Sequence, residues 1–531
     1  MSGTTVRPAS GSSRSAAAAS SRLPFSLTPA GAVIAAATVL ALALRGYQLA
    51  RPGHLLGVGD YDDGADFGSA LRLVNGVLPY RDFVLVQPPG ITLVMTPAAL
   101  LSKLAGTAGA IAAGRILTAL AGASAVLLGG LLVRHRGVLA TMLTCGIIAI
   151  YPGSVQAAHT VLLEPWLTAF CLAGAVAVFD GDHLTSSGRR LAWGGAALGL
   201  AGAIKVWAII PVAVIAALCL PRPRNAARFL AGVATGFVVP VLPFAVLAPA
   251  RFYDSVVVAQ LVRTGARTPL DFRLQYLTGM TAWQPGIVAL LVAALAVAAI
   301  GAGTLIAAWR VTGQRPSPLE WFGVATAALV IAAFLLPVNF YYHYPAFLAP
   351  FLGIALALPA ARIADARAAA ARGLWRFAVP VTGLAILVLP IAVPGPESSP
   401  TPTYSGALTA IGRVIPHGAC VLTDEVALLI SADRFSSSAP GCPVVVDGTG
   451  TSYALGQGRS AATAGSVPAV AAVWQQAFSA ARYVLLTPYN RNRIAWTPQL
   501  RAYLRDNFAA VAGNWAPLQL FVRRPPPEIQ P

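Results

Sequence analysis

Charge is scarce in this chain. Asp, Glu, Lys and Arg supply 11% of its 531 residues, against about a quarter in soluble domains, which argues against a soluble globular protein. Lysine occurs only as Lys103 and Lys205. The five cysteines include no pair in zinc-ligand spacing, so a zinc-ribbon or finger fold is excluded. No glycine-rich phosphate loop follows a strand either. The one candidate, Asp447-Gly-Thr-Gly-Thr-Ser, has the wrong spacing for such a loop.

What the chain has in abundance is apolar sequence: 56% of residues are hydrophobic. Runs of roughly 16 to 25 apolar residues recur through the first three quarters, the length that a bilayer core demands. The expected fold is a polytopic α-helical membrane protein of about eleven spans. They fall near 29–48, 109–133, 137–153, 161–179, 191–204, 207–220, 229–249, 284–309, 321–338, 345–360 and 376–394. Residues 90–105 are not counted as another, since a span there would put Arg134 on the outer side. A net charge of +18 would suggest nucleic acid in a soluble protein. Here the arginines sit in short loops between spans, where they set orientation, and no nucleic-acid partner is expected.

The clusters Arg7, Arg14 and Arg22, then Arg134 and Arg136, Arg189 and Arg190, Arg222, Arg224 and Arg228, Arg310 and Arg315, and Arg362 to Arg376 all fall on one side. By the positive-inside rule that side is cytoplasmic. Residues 1–28, rich in Ser, Ala and Arg, read as a disordered cytoplasmic tail. The run from 30 to 44 reads as an uncleaved anchor in preference to a signal peptide. Alanine, glycine and arginine usage suggests a GC-rich bacterial genome, hence a bacterial inner (plasma) membrane. An odd number of spans puts the first loop, 49–108, and everything beyond about 395 on the periplasmic or extracellular face. Residues 397–531 alternate β-rich runs (419–422, 443–446, 483–486) with helical patterns (403–413, 465–482, 497–507), as a small α/β domain would. If that region faces an oxidising compartment, Cys420 and Cys442 are expected to form a disulfide.

The first outer loop opens with Gly-Asp-Tyr-Asp-Asp-Gly-Ala-Asp-Phe, residues 59–67. Carboxylates held near lipid are expensive and usually functional. Asp62 and Asp63 are the candidates for chemistry, while Asp60 and Asp66 read as loop solvation or turn formation. Candidate phosphate-binding cations are Lys205, Arg45, Arg72, Arg81 and Arg115. His159, Glu164, Tyr342 and His343 stand at other outer helix ends and are candidates to line the same cavity. Tyr341 and Tyr344 read as interfacial anchors. Arg251, Arg263, Arg267 and Arg273 make an unusually basic outer loop, suited to anionic headgroups or to solvent. A divalent cation among Asp62, Asp63, Glu164 and His343 is possible, but no spacing demands one.

The acidic pair, the stretch from Ala70 through Leu78-Pro79-Tyr80-Arg81-Asp82-Phe83, and Gln87-Pro88-Pro89-Gly90 together resemble the first outer loop of GT-C glycosyltransferases. The nearest branch in style is that of the protein-mannosyltransferases and aminoarabinose transferases. The similarity is strongest over about residues 45–105. The family pattern usually reads Asp-Glu with an aromatic three residues later; this chain has Asp62-Asp63 and then Asp66. Glu164-Pro165 resembles the second acidic site of the superfamily.

The resemblance implies an inverting transfer of a sugar, of mannose or arabinose type, from a polyprenyl-phosphate donor to an envelope glycan, lipid or protein. Such a reaction needs a base for the acceptor hydroxyl, cations for the departing phosphate and an apolar groove for the lipid tail. Asp62 is the expected base, with Asp63 beside it. The leaving phosphate is a stable anion, so one carboxylate suffices. The alternative is a flippase for lipid-linked sugars, against which stand the position of the acids outside mid-bilayer and the lack of a visible inverted repeat.

Overall fold

The computed structural model describes residues 28–281, 285–370, 404–436 and 441–525. The expected tail, the span at 376–394 and the linker beyond it lie outside the described residues. Helices form over each of the other ten expected spans: Pro29–Ala50, Ser102–Val133, Gly137–Ile150, Leu163–Val178, Gly188–Ile204, Ile209–Cys219, Pro223–Leu247, Ile287–Thr312, Pro318–Leu335 and Ala349–Ala370. Among the described residues six stretches are long and apolar enough to cross a membrane unaided. The outward faces of these helices are greasy: Val288, Val292 and Leu295 on one, Val239, Leu242 and Val246 on another, are more than half exposed. Apolar surface on that scale has to be covered, and lipid is the cover that suits it.

Close helix packing follows from small residues. Gly195 and Gly199 lie against Phe229, Val233 and Gly236, while Gly232 and Gly236 lie against Ala192 and Ala196. A Cβ at any of these glycines would strike backbone atoms of the facing helix. Gly188–Ile204 and Pro223–Leu247 therefore meet backbone to backbone, as small-residue pairs four apart allow in lipid. The apolar stretch at 90–105 makes only an 11-residue helix, Gly90–Leu100, about half the length of a bilayer crossing.

Lys205 sits where Gly188–Ile204 ends. Its backbone is extended, with φ −150° and ψ 132°, before the chain turns into the helix that ends at Cys219. That break lets a charged side chain leave the helical stack at its end.

The last quarter of the chain forms a four-stranded mixed sheet in the order Val421–Thr423, Tyr483–Leu486, Gln519–Arg523, Phe508–Ala510. The first pair is parallel, with Val421 opposite Tyr483, and the other two are antiparallel. Pro443–Val446, which reads as a strand in sequence, is not one. Arg72 takes the Pro443 carbonyl at 2.8 Å, and Asp447 then caps the helix Gly448–Leu455. Cys420 and Cys442 are joined as a disulfide, with Cα atoms 4.9 Å apart.

This region does not stand apart from the first loop. Phe67, Leu71, Ile91 and Met95 share one buried cluster with Leu408, Ile411, Val426 and Leu428. At Gly64 the helix Tyr61–Leu73 approaches the backbone of Ala427 so closely that any side chain would collide. The acidic loop is thus clamped between the helical bundle and the sheet region.

Candidate active site

Asp60 begins the site by capping the helix Tyr61–Leu73: its Oδ1 accepts the Asp62 N–H at 2.9 Å, a contact worth about 1 kcal/mol to a helix. Its Oδ2 accepts the Tyr342 hydroxyl at 2.8 Å. Successive helical side chains point about 100° apart, so the two halves of the acidic pair meet different surroundings. Asp62 lines a cavity of about 350 Å3 and keeps 41% of its side chain exposed. Asp63 turns into the protein, fully buried, where Arg115 holds it at 2.6 Å and Thr160 donates to it.

The cavity wall opposite Asp62 is built by three elements distant in sequence. His343 Nε2 lies 3.8 Å from Asp62 Oδ2, and His343 Nδ1 lies 2.9 Å from Glu164 Oε2, off the line of a hydrogen bond. Lys205 Nζ donates to Glu164 Oε1 at 2.5 Å. The ammonium stands over the rings of Trp207 and Tyr344, 3.9 and 4.4 Å from their centroids. Desolvation of Lys205 is thereby compensated by a carboxylate and two aromatic faces. Asp62, His343, Glu164 and Lys205 form a chain in which carboxyls alternate with basic groups. Tyr341, Tyr342 and Tyr344 line the same space and do more than anchor a helix end.

The electrostatics favour a base. Burial, then the neighbouring charges of Asp60 and Asp447, push the Asp62 carboxyl up to about 7, while His343 and Lys205 work the other way. Burial alone would lower the His343 imidazole, but the Glu164 carboxylate beside it more than offsets that and the net shift is upward. A carboxyl poised near neutrality is suited to take a proton at physiological pH.

Several residues read as site candidates in the sequence lie elsewhere. Asp63 and Arg115 neutralise each other in the interior; Arg115 also binds the His54 and Leu55 carbonyls. Arg45 is buried and spends its guanidinium on the carbonyls of Ala41, Ala149 and Ser154. Arg72 holds Ser436 and Pro443. Arg81 is exposed and pairs with its own neighbour, Asp82. His159 turns back onto the Gln156 carbonyl and lines no part of the cavity. In each case a local acceptor satisfies the cation or ring before a ligand is needed. Asp66, read as loop solvation, is instead 3% exposed and lines the cavity.

Other members carry little signal in sequence, Arg263 only as one of four arginines in a basic loop. Arg263 lines the cavity; it donates Nε–H to Ala259 at 2.7 Å and stacks on Tyr453 at 4.9 Å. No carboxylate pairs with it among the described residues. Of the other arginines in its loop, Arg251, Arg267 and Arg273 are tied to backbone carbonyls. The sheet region contributes Asp447, Tyr453, Tyr489 and Arg493. Tyr61 links the two halves: its hydroxyl donates to Asp447 Oδ1 at 2.8 Å and accepts Thr449 N–H at 3.1 Å. Arg493 lies over the Tyr61 ring at 4.5 Å and is anchored by Glu425 at 2.6 Å. Among the described residues no group of three or more His, Cys, Asp or Glu is arranged to hold a metal ion.

The cavity thus joins a near-neutral carboxyl, an arginine with no carboxylate partner among the described residues, and aromatic walls. Residues 86–337, somewhat under half of the chain, match the family model described as Glycosyltransferase family 87. ArnT from Cupriavidus metallidurans in the apo state superposes with a TM-score of 0.51 at 16% identity, covering 93% of this chain and 98% of that one. ArnT from the same organism bound to undecaprenyl phosphate gives 0.51 at 14% identity, with 92% and 97% covered. The Archaeoglobus fulgidus oligosaccharyltransferase is a weaker likeness, at TM-score 0.49 and 12% identity, with 90% and 71% covered. No curated protein matches the chain. The chain is a multi-pass membrane protein with the fold of the ArnT structures, and the family that its residues 86–337 match is one of glycosyltransferases.

Proposed function

We propose that this enzyme moves a sugar from a polyprenyl-phosphate donor to a hydroxyl of a cell-envelope glycan, lipid or protein, on the outer face of the plasma membrane, with inversion. The observation that carries the reading is that the Asp62 carboxyl and Arg263, a cation without a carboxylate partner among the described residues, face one cavity. Asp62 takes the acceptor proton as its oxygen attacks the anomeric carbon. Arg263 and the Lys205 ammonium stabilise the phosphate as it departs. His343, held against Glu164, keeps the Asp62 carboxyl from rising further and so leaves more of it ionised. The tyrosine walls offer ring faces and hydroxyls to a sugar.

Binding of undecaprenyl phosphate by ArnT, a protein of the same fold, supports the donor class. An outer location is supported by the disulfide, a bond that persists in oxidising compartments. It is supported too by the grouping of Arg136, Asp182, Glu320 and Arg362 in contacts remote from the cavity. Residues 397–531, on this reading, are an extracytoplasmic α/β domain that helps hold the acceptor. The test is to incubate the purified protein in detergent with a panel of polyprenyl-phosphate sugars and measure released polyprenyl phosphate. Release that depends on Asp62 sustains the reading. Movement of intact lipid-linked sugar across liposomes without a new glycosidic bond would replace it with a flippase.

A further inference from the structure

The loop at 487–493, which follows the strand Tyr483–Leu486, faces two ways. Its Tyr489, Asn492 and Arg493 line the cavity of Asp62, whereas Asn490 and Arg491 line a second, open cavity of about 630 Å3. One short helical turn, Asn490–Asn492, stands between them. Both ends of the loop are fixed to the residues that follow the strand Val421–Thr423. Thr487 N–H donates to Asp424 Oδ1 at 2.7 Å, and Arg493 is held by Glu425 at 2.6 Å. The two strands are parallel and end here; the crevice beyond the carboxyl ends of such strands is where open α/β sheets take their ligands.

The second cavity has a character of its own. Among the described residues no acid lines it, while Arg491 and Arg501 both do. Both arginines are exposed, and among the described residues neither side chain has a hydrogen bond or an ion pair. Arg523, by contrast, is spent on the carbonyls of Phe478 and Ser479. The Arg501 guanidinium lies 5.7 Å from the centroid of the Trp496 ring. That ring is held in place: its Nε1–H donates to Asn490 Oδ1 at 3.1 Å, Asn490 in turn donates to the Thr487 carbonyl at 2.5 Å, and Phe478 packs against it at 5.5 Å. Gln519 adds a side-chain amide to the wall.

These groups select a ligand by complementarity. Cations gathered in a concave surface attract anions. An immobilised aromatic ring offers a flat apolar face, which suits the carbon-bound hydrogens of a sugar ring, and an amide suits its hydroxyls. Because the loop and Trp496 are ordered before any ligand arrives, binding costs little ordering entropy. A lipid headgroup would use the charge and leave Trp496 and Gln519 idle; an acidic glycan uses all of them. The crossing between the cavities is short. Tyr489, 52% exposed at the edge of the first, is two residues from Arg491, at most about 7 Å of chain, which an oligosaccharide of a few units bridges.

Resting on the glycosyl-transfer reading, we propose that the second cavity binds a negatively charged glycan, the continuation of the acceptor whose reacting end stands at Asp62. Arg491 and Arg501 pair with its acidic groups, Trp496 takes the face of a sugar ring, and Tyr489 carries the chain from one cavity to the other. The acceptor class thereby narrows from glycan, lipid or protein to an acidic glycan.

The experiment measures binding by calorimetry to the full-length protein in detergent, with octagalacturonate, trigalacturonate and the neutral maltooctaose as probes. Wild type should bind octagalacturonate about tenfold or more tightly than maltooctaose, and the affinity should fall as salt rises. The double variant Arg491→Ala, Arg501→Ala should lose about tenfold to a hundredfold in affinity for octagalacturonate. Its thermal unfolding temperature and its basal release of polyprenyl phosphate should be unchanged. Trp496→Ala should weaken both galacturonates, and Tyr489→Ala the octamer but not the trimer. Equal binding of the acidic and neutral octamers, or an affinity untouched by the double substitution, would overturn the site. Displacement of octagalacturonate by glycerol phosphate at equal concentration would overturn it too, in favour of a lipid headgroup. Equal effects of Tyr489→Ala on both lengths would break the continuity between the cavities. If wild type released no lipid phosphate from any donor, the glycosyl-transfer reading and the acceptor role would fall together, while octagalacturonate binding, read without turnover, would still decide the site.

Discussion

At the end of the bundle away from the cavity, acids and cations meet in closed sets. Asp182 is held by Arg136 and by His135. Glu320 completes a capping box with Ser317 and receives Arg362 on both oxygens, at 3.0 and 2.7 Å. Arg362 has further bonds to Thr312 and Gln314. At the cavity the same residue types are left open. Asp62 has only His343 at 3.8 Å, Arg263 lacks a carboxylate among the described residues, and Asp66 has a buried oxygen without a partner. Completed pairs hold helices together. Incomplete ones are costly in a membrane protein, which is why the proposed function assigns them to substrate.

Breaking each kind of contact should give opposite signatures. The largest effect is expected at Asp62→Asn: transfer measured as lipid-phosphate release should fall by about 10²–10⁴-fold, with the thermal unfolding temperature in detergent unchanged. Arg362→Met, at the closed end, should do the reverse. Stranding the buried Glu320 carboxylate should cost about 3–5 kcal/mol of stability, seen in thermal unfolding, while turnover per folded molecule is retained. Arg115→Met should behave like Arg362→Met despite lying close to the site, because Asp63 is a structural partner. A selective loss of turnover there would blur the comparison.

Arg263→Ala should weaken donor use by roughly tenfold to a hundredfold in kcat/KM, the worth of a charge-assisted hydrogen bond. The loss should be smaller at high salt for a partly exposed cation. The smallest effect is a shift in pH dependence. A base with its carboxyl up at about 7 is active when ionised, so the rate should rise as pH increases through that value. His343 favours the ionised form; His343→Gln should therefore move the acid limb to higher pH, and a move to lower pH would contradict the assignment.

The residues proposed to carry the chemistry could be named because charge is rare in apolar sequence and conspicuous at helix ends. Asp62, Glu164, Lys205 and His343 all stand out that way, and the fold brings them to one cavity. The same logic could not separate them from Arg45, Arg81, Arg115 and His159, which satisfy local acceptors. Nor could it see that neighbours Asp62 and Asp63 face in opposite directions. Tyr453 and Arg493 had no signal, and Asp447 only that of a phosphate loop with the wrong spacing, since nothing in a capped helix or a loop after a strand tells which surface it will be docked against.

By itself the sequence determined the helical membrane architecture and where ten of its apolar helices lie, because the length and apolarity of such a helix are local properties of the chain. It also singled out the acidic loop, part of which lines the cavity. Only the tertiary structure decided which carboxyls face the cavity, which cations are already spent, and that the last quarter of the chain closes the site. Those outcomes depend on which face of each helix meets which neighbour, and packing between distant segments sets that.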